Sequence, residues 1–436
     1  MLVTADPTAL LTPQGRELLA RLADSQPDGS LALAERLRKQ YPAGLVALAM
    51  AQRELRIAAA AKFSRADQML FTRAGYEQSS SEAIARHRAA RLADTLGRGA
   101  TARLADLCCG IGGDLVALAG VGEVLAVDRD AVHARLARYN AGVYGEAGGV
   151  AAVVADVRDV PLAGIAAVFI DPARRSGPGT ASAGTTPVGT ARRFRPGLSE
   201  PPLDWCAALT GQVAAVCVKA APGLPADLVP PGWEAEFIAE GRDLKEAVLW
   251  SPALATAPVA TPPGAPPGPR RATVIAPAPG GPAPGDRVPR GHATLVAVAG
   301  DLVPLRGPGE YLLDPNPAVT RAGLVEDLAR TLGGDAAKID PQIAFLTLDR
   351  PASTPFARTL RVLESAPWNE KQFARRLRGL GIGAVDIRRR GLAGDVDQIR
   401  RRLKLAGKDR ATLVITRVGD KPWGVICTEP APPSAG

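Results

Sequence analysis

The chain has 436 residues, 46% hydrophobic and 22% charged, with a formal net charge of +9. This length and apolar content call for two to three domains with real cores, which excludes a wholly disordered chain. Five cysteines (108, 109, 206, 217 and 427) without a C-x-x-C pair argue against a disulfide framework and against a structural metal.

No basic-then-apolar leader pattern begins the sequence, and no apolar run reaches the roughly 18–20 residues of a membrane helix. A cytoplasmic protein with no membrane partner and no metal is expected. In chain order, residues 1–95 read as an N-terminal helical region. Apolar spacing at i, i+3, i+4 predicts helices over Gly15–Ala23, Ser30–Gln40 and Ala43–Ala61. Another, Ser81–Leu96, carries Arg86, His87, Arg88 and Arg91 and is expected to decorate the substrate side.

Residues 96–300 read as an α/β domain. Leu104 and Leu107 close a buried strand, and the chain turns through Gly110, Gly112 and Gly113 into an apolar helix, Leu115–Leu118. Strands follow at Val124–Val127, Val150–Val154 and Ala167–Ile170, then at Ala214–Val218, Glu236–Ile238 and Ala247–Trp250. Residues 176–190 read as a loop. The stretch 256–290 holds eleven prolines in 35 residues and reads as a loop or linker, with Thr273–Ile275 a strand expected to pair with 247–250. Residues 301–339 read as a connector. From 340 to 430 the pattern is a small α/β domain: strands Ile343–Leu348 and Thr359–Leu363, helix Asn369–Leu380, strand Ala384–Arg388, helix Val396–Leu405, and a hairpin of Ala411–Arg417 with Trp423–Cys427.

Each of the first four strands of the α/β domain is associated with a carboxylate at its end: Asp106, Asp128, Asp156 and Asp171. That rim is where ligands bind in open parallel sheets. A dinucleotide site would show Gly-x-Gly-x-x-Gly, so that a helix N-terminus receives a pyrophosphate. Here the spacing is Gly110-x-Gly112-Gly113-Asp114, with Asp106 before the turn. An acid there suits a cationic, phosphate-free cofactor such as S-adenosylmethionine, with Asp128 on the ribose hydroxyls and Asp156 near an adenine edge. Cys108, Gly110, Gly112, Arg129 and Val157 complete the candidate cofactor set. Cys108 and Cys109 read as small packing residues, and Cys217, inside a strand, as packed rather than nucleophilic.

These residues resemble class I S-adenosylmethionine-dependent methyltransferases, in particular the trimethylguanosine synthase branch, the RNA cap guanine-N2 methyltransferases. Three pieces carry the resemblance: Asp106-Leu-Cys-Cys-Gly-Ile-Gly-Gly113; Val127-Asp128-Arg-Asp130 with the helix running to Asn140, Tyr144 and Gly145; and an upstream segment with Lys62-Phe63-Ser64-Arg65-Ala-Asp67, Gly75-Tyr76 and Ser81-Glu82-Ala-Ile84. Together they span residues 60–175. The resemblance implies a Rossmann-like sheet, with the upstream segment lying over the cofactor. The order of parts also resembles bacterial methyltransferases with a C-terminal THUMP-like domain, which implies an RNA substrate.

In such enzymes an Asp/Asn/Ser-Pro-Pro-aromatic loop receives the acceptor amine. This chain has Asp171-Pro172-Ala173-Arg174. Asp171 and the Pro172 carbonyl keep the accepting half, and Arg174 stands in for the missing aromatic as a stacking group. Residues 358–410 contain fifteen Lys/Arg and six Asp/Glu, an excess of nine that equals the whole net charge. A basic segment beside a neutral one suits phosphate-backbone binding. Lys371, Arg375 and Arg378 fall at i, i+4, i+7, one helical stripe. The expected activity is methylation of an exocyclic amine of a base in RNA. The alternatives are a small-molecule methyltransferase and an RNA-binding protein that keeps the scaffold.

Overall fold

The computed structural model describes residues 6–23, 30–97, 102–174, 199–258, 268–276 and 291–430. The expected loop 176–190 lies outside them, as does part of the proline-rich stretch. The chain divides into two compact units.

The first unit begins with helices α1 (Pro13–Ala23), α2 (Ser30–Leu37), α3 (Ala43–Ala59), α4 (Arg73–Gln78) and α5 (Glu82–Leu96). α2 and α3 stop short of the expected ends. Leu10, Leu18, Val46, Phe63 and Phe71 form their shared core, which also takes in Ile111 and Leu136. α5 starts where sequence chemistry places it: the Ser81 side chain accepts from the Ile84 N–H.

The sheet is built from β1 (Arg103–Leu107), β2 (Glu123–Asp128), β3 (Val150–Val154) and β4 (Ala167–Ile170). Helices α6 (Leu115–Leu118) and α7 (Ala131–Val143) connect the first three. A two-residue pair, β5 (Ala173–Arg174) with β6 (Ser199–Glu200), and α8 (Leu203–Ala208) come next. Then follow β7 (Ala215–Ala220), β8 (Glu234–Glu240) and β9 (Asp243–Trp250). These strands lie in the order β8-β9-β7-β4-β1-β2-β3. β3, β2, β1, β4 and β7 run parallel to their neighbours, while β9 runs antiparallel to β7. β1 and β4 lie inside that order and read as near-continuous apolar runs, the mark of strands covered on both faces. The expected Rossmann-like α/β class is borne out.

Within the proline-rich stretch, β10 (Arg270–Ile275) forms, longer than expected. Its Ile275 carbonyl accepts from the Gly241 N–H, just past β8, rather than from 247–250. β11 (His292–Val296) follows.

The cations of α5, expected on the substrate side, are paired with acids of this unit. Arg88 is 1% exposed and sits between Asp114 and Glu246. His87 Nε2 lies 2.7 Å from Glu236, and Arg91 contacts Glu234 and Glu236 at 2.8 and 3.0 Å while lying 4.1 Å over the Trp250 ring. Buried charges persist only when paired, so the Arg/His pattern of α5 matches the acids of β8 and β9. The sequence shows the cations, but not that Glu234, Glu236 and Glu246, distant in the chain, are brought against them.

The second unit is a seven-stranded sheet of order β13-β14-β12-β15-β18-β17-β16. Its strands are β12 (Tyr311–Pro315), β13 (Ala337–Lys338), β14 (Leu346–Leu348), β15 (Ala357–Pro367), β16 (Ile382–Arg389), β17 (Asp409–Val418) and β18 (Lys421–Thr428). Helices α9 (Pro317–Ala322) and α10 (Val325–Leu332) precede β13. The stretch 301–339, expected as a connector, therefore supplies an interior strand: β12 pairs with both β14 and β15. The alternation Tyr311-Leu312-Leu313 is too short to announce it. α11 (Glu370–Gly379) and α12 (Val396–Leu403) pack through Phe373, Leu377, Ile399 and Leu403 on one face, over Leu413 and Ile426. Asn369 and Asp395 cap them.

Arg88→Met is expected to destabilise the first unit by about 3–5 kcal/mol, the usual penalty for stripping the partner from buried charges. Urea denaturation followed by tryptophan fluorescence reads this. A loss below about 1 kcal/mol, the scale of exposed pairs, would mean the network is solvated.

Candidate functional site

The turn after β1 is fixed by backbone geometry. Cys108 has φ +62°, Gly110 +52° and Gly112 +84°. A Cβ at Gly112 would stand 2.9 Å from the Ala137 Cα of α7, so the loop lies directly on that helix. A Cβ on Gly110 would meet nothing within 4 Å, so that bend opens into empty space. Two of the glycine N–H groups of the loop already have acceptors within the protein. The Gly110 N–H donates to Asp128 Oδ2 at 2.9 Å, and the Gly112 N–H to the Cys109 carbonyl. Backbone donors in a buried turn need acceptors even without a ligand.

Asp128 ends β2 and also accepts from the Asp130 N–H at 2.9 Å. Its carboxylate is thus locked to the glycine loop by one oxygen and to the start of α7 by the other. Arg129, next to it, is exposed. Asp156 follows β3, accepts from the Arg158 N–H at 2.9 Å and pairs with that guanidinium at 3.2 Å. Val157 beside it is buried.

Asp106 is different. It is fully buried, and neither carboxylate oxygen has a hydrogen-bond partner among the described residues. Burial, then the charges of Asp114, Asp171 and Asp128, holds its carboxyl well above the usual carboxylate range.

The upstream segment lies against the glycine loop. A Cβ on Gly75 would collide with Ile111 at 2.4 Å, and one on Gly113 would stand 2.8 Å from Ser79. Asn140 ties both pieces, accepting from the Leu70 N–H at 2.9 Å and donating to the Ile111 carbonyl at 2.8 Å. Glu82 gathers the Ser64 N–H at 2.6 Å, the Tyr144 hydroxyl at 2.9 Å and the Arg86 guanidinium. Ser64, Gly75, Glu82, Asn140 and Tyr144 all stand in the matched motifs, but their mutual contacts cannot be read from spacing.

One step beyond β4, Asp171 Oδ2 accepts from Lys219 Nζ at 2.6 Å. Lys219 is absent from the sequence-based set, because an apolar run ending Val218-Lys219-Ala220 reads simply as a strand end. Pro172 is buried, and Arg174 stands in β5 opposite Ser199. Cys217 is fully buried, and burial pushes its thiol far up, as it pushes Cys206 up to about 12. Lys371, Arg375 and Arg378 are exposed on α11, opposite the buried Phe373 and Leu377. Among the described residues, no group of three or more His, Cys, Asp or Glu is placed to hold a metal ion, and no helix is long and apolar enough to cross a membrane.

Comparison with known proteins gives this geometry a family. Residues 101–187 match the RNA cap guanine-N2 methyltransferase family, residues 357–429 a THUMP domain-like family, and residues 4–59 a domain of unknown function. Proteins from two strains of Mycobacterium tuberculosis, each named an uncharacterized S-adenosylmethionine-dependent methyltransferase, are 34% identical over 361 residues, covering 81% of this chain and 86% of theirs. The chain belongs to the S-adenosylmethionine-dependent methyltransferases. The crystal structure of a methyltransferase candidate from Porphyromonas gingivalis shares the fold, with a TM-score of 0.71 over 96% of this chain and 99% of that one, at 20% identity.

The methyltransferase's cofactor is S-adenosylmethionine, and the residues fit it on one observation. Asp106 is a buried carboxylate without a partner, a state that a cationic ligand relieves and a phosphate would aggravate.

Two outcomes test this arrangement. A carboxyl whose folded pKa is raised holds its proton more tightly in the folded than in the unfolded chain. Its ionisation therefore opposes folding once pH exceeds the unfolded value of about 4. Asp106→Asn is expected to raise the melting temperature of the ligand-free protein at pH 7, with the gain vanishing below about pH 4. No gain at pH 7 would show that Asp106 is compensated. Asp128→Ala is expected to weaken S-adenosylmethionine binding about tenfold or more, because charge-assisted hydrogen bonds contribute about 1.5–3 kcal/mol. Unchanged affinity by calorimetry would remove the ribose assignment.

Proposed function

We propose that this methyltransferase modifies an exocyclic amine of a base in RNA. The observation that carries the reading is Asp171. It sits at the carboxyl rim just past β4, a third exposed, with only Oδ2 engaged among the described residues. A half-open carboxylate beside a proline carbonyl is an acceptor pair for the two hydrogens of an amine. The match of residues 101–187 to an RNA methyltransferase family and the THUMP-like match support RNA as the substrate class, as does the confinement of the charge excess to residues 358–410.

In this reading Asp106, Cys108, Gly110, Gly112, Asp128, Arg129, Asp156 and Val157 hold the cofactor. S-adenosylmethionine, when bound, supplies an electrophilic methyl group on a sulfonium. Asp171 and the Pro172 carbonyl accept the amine hydrogens and so raise the availability of the nitrogen lone pair. Arg174 stacks its guanidinium on the base in place of an aromatic ring. The rest is positioning and electrostatics. Lys371, Arg375 and Arg378 bind the phosphate backbone, a contact carrying no base information.

The test uses full-length protein, methyl-tritiated S-adenosylmethionine and bulk RNA from cells lacking the gene. Asp171→Ala is expected to abolish transfer while cofactor affinity stays within about threefold, since an interaction made with the acceptor alone lowers kcat rather than cofactor binding. Transfer near the wild-type rate would move the chemistry elsewhere.

A further inference from the structure

We propose that Lys219 is the positioning residue of the acceptor site: it holds the Asp171 carboxylate by one oxygen and leaves the other for the substrate amine. This rests on the reading that Asp171 receives that amine.

The placement follows from the sheet. Ile170 of β4 and Val218 of β7 are register partners on adjacent parallel strands. The next residues, Asp171 just past β4 and Lys219 still within β7, therefore stand side by side and on the same face. The resulting pair is short, 2.6 Å from Nζ to Oδ2. The lysine side chain is only 10% exposed while the carboxylate keeps 33%. The cation is thus the fixed partner, and the anion is the one still open to a ligand.

Lys219 also reaches a second element. Its ammonium lies 3.3 Å from the Gln78 carbonyl at the end of α4. Lys62 holds the same turn, donating to the Tyr76 and Ser79 carbonyls at 2.8 and 3.0 Å. Burial, then the charges of Lys219 and Lys245, lowers the Lys62 pKa. The turn 76–79 abuts the glycine loop through Ser79 and Gly113. Lys219 therefore links the acceptor carboxylate to the segment packed on the cofactor loop.

The site needs such a cation. The Asp171 charge is one of three that push Asp106 upward. A carboxylate repelled by its neighbours and tethered only to a loop would turn toward water, away from the acceptor position. An ammonium with three donors, two of them used here, fixes its direction.

The experiment uses the same transfer assay on bulk RNA from cells lacking the gene, with full-length protein. Lys219→Met keeps the stem and removes the charge; Lys219→Arg keeps both charge and donors. Lys219→Met is expected to lower kcat roughly tenfold to a hundredfold, with KM for RNA and Kd for S-adenosylmethionine within about threefold. Lys219→Arg is expected to restore most of kcat, a rescue that simple packing does not predict. In an Asp171→Asn background Lys219→Met should cost nothing further, because the lysine acts through that carboxylate. The inference is overturned by a kcat within about twofold of wild type, by independent multiplication of the two effects, or by a loss traced to cofactor affinity. Wild-type protein that transfers no methyl to this RNA would instead overturn the RNA reading, and this inference with it.

Discussion

Carboxylates crowded on one sheet rim repel one another, and the first unit is organised around compensating them. Asp114 is met by the buried Arg88, Asp128 by two backbone N–H groups, and Asp171 by Lys219. Asp106 alone among these four has no hydrogen-bond partner among the described residues, and its carboxyl is pushed up by burial and by the other three. In the proposed reading, the cation of S-adenosylmethionine would compensate Asp106, so that ligand and fold complete one charge pattern.

That pattern explains why helix α5 is so strongly cationic on its buried side. Two of its arginines face acids of the sheet or of the glycine loop, Arg88 on Asp114 and Glu246 and Arg91 on Glu234 and Glu236, while Arg86 pairs with Glu82 of α5 itself. Buried pairs of this kind give specificity of register more readily than net stability. A shift of α5 by one residue would strand several charges at once. The glycine loop is equally determined, by the close approaches of Gly112 to α7 and Gly113 to Ser79. The second unit obeys a different rule. Its cores flank a seven-stranded sheet, and its exposed helical faces carry the basic residues.

Much of this was legible in the chain. Strands β3 and β4 and helix α6 fall where their apolar runs begin and end, and the four rim aspartates stand at strand ends. Ser81, Asn369 and Asp395 mark helix starts by local capping chemistry, which depends on neighbours in sequence. What escaped depends on distant partners. Lys219 is an unremarked strand-end lysine until β7 is placed beside β4. His87, Arg88 and Arg91 read as decoration of the substrate side until β8 and β9 supply their acids. Residues 301–339 hid strand β12 because three apolar residues between prolines and glycines carry too little periodicity. In each case the deciding contact joins elements whose adjacency is a property of the fold.

The central claim is that the rim carboxylate Asp171 directs a methyl group onto a base amine of RNA. It is tested most directly by mass spectrometry of nucleosides from total RNA of a strain lacking the gene, complemented with wild type or with Asp171→Ala. The account predicts one N-methylated nucleoside that disappears on deletion, returns with wild type and stays absent with the variant. An identical nucleoside profile in all three strains would contradict it.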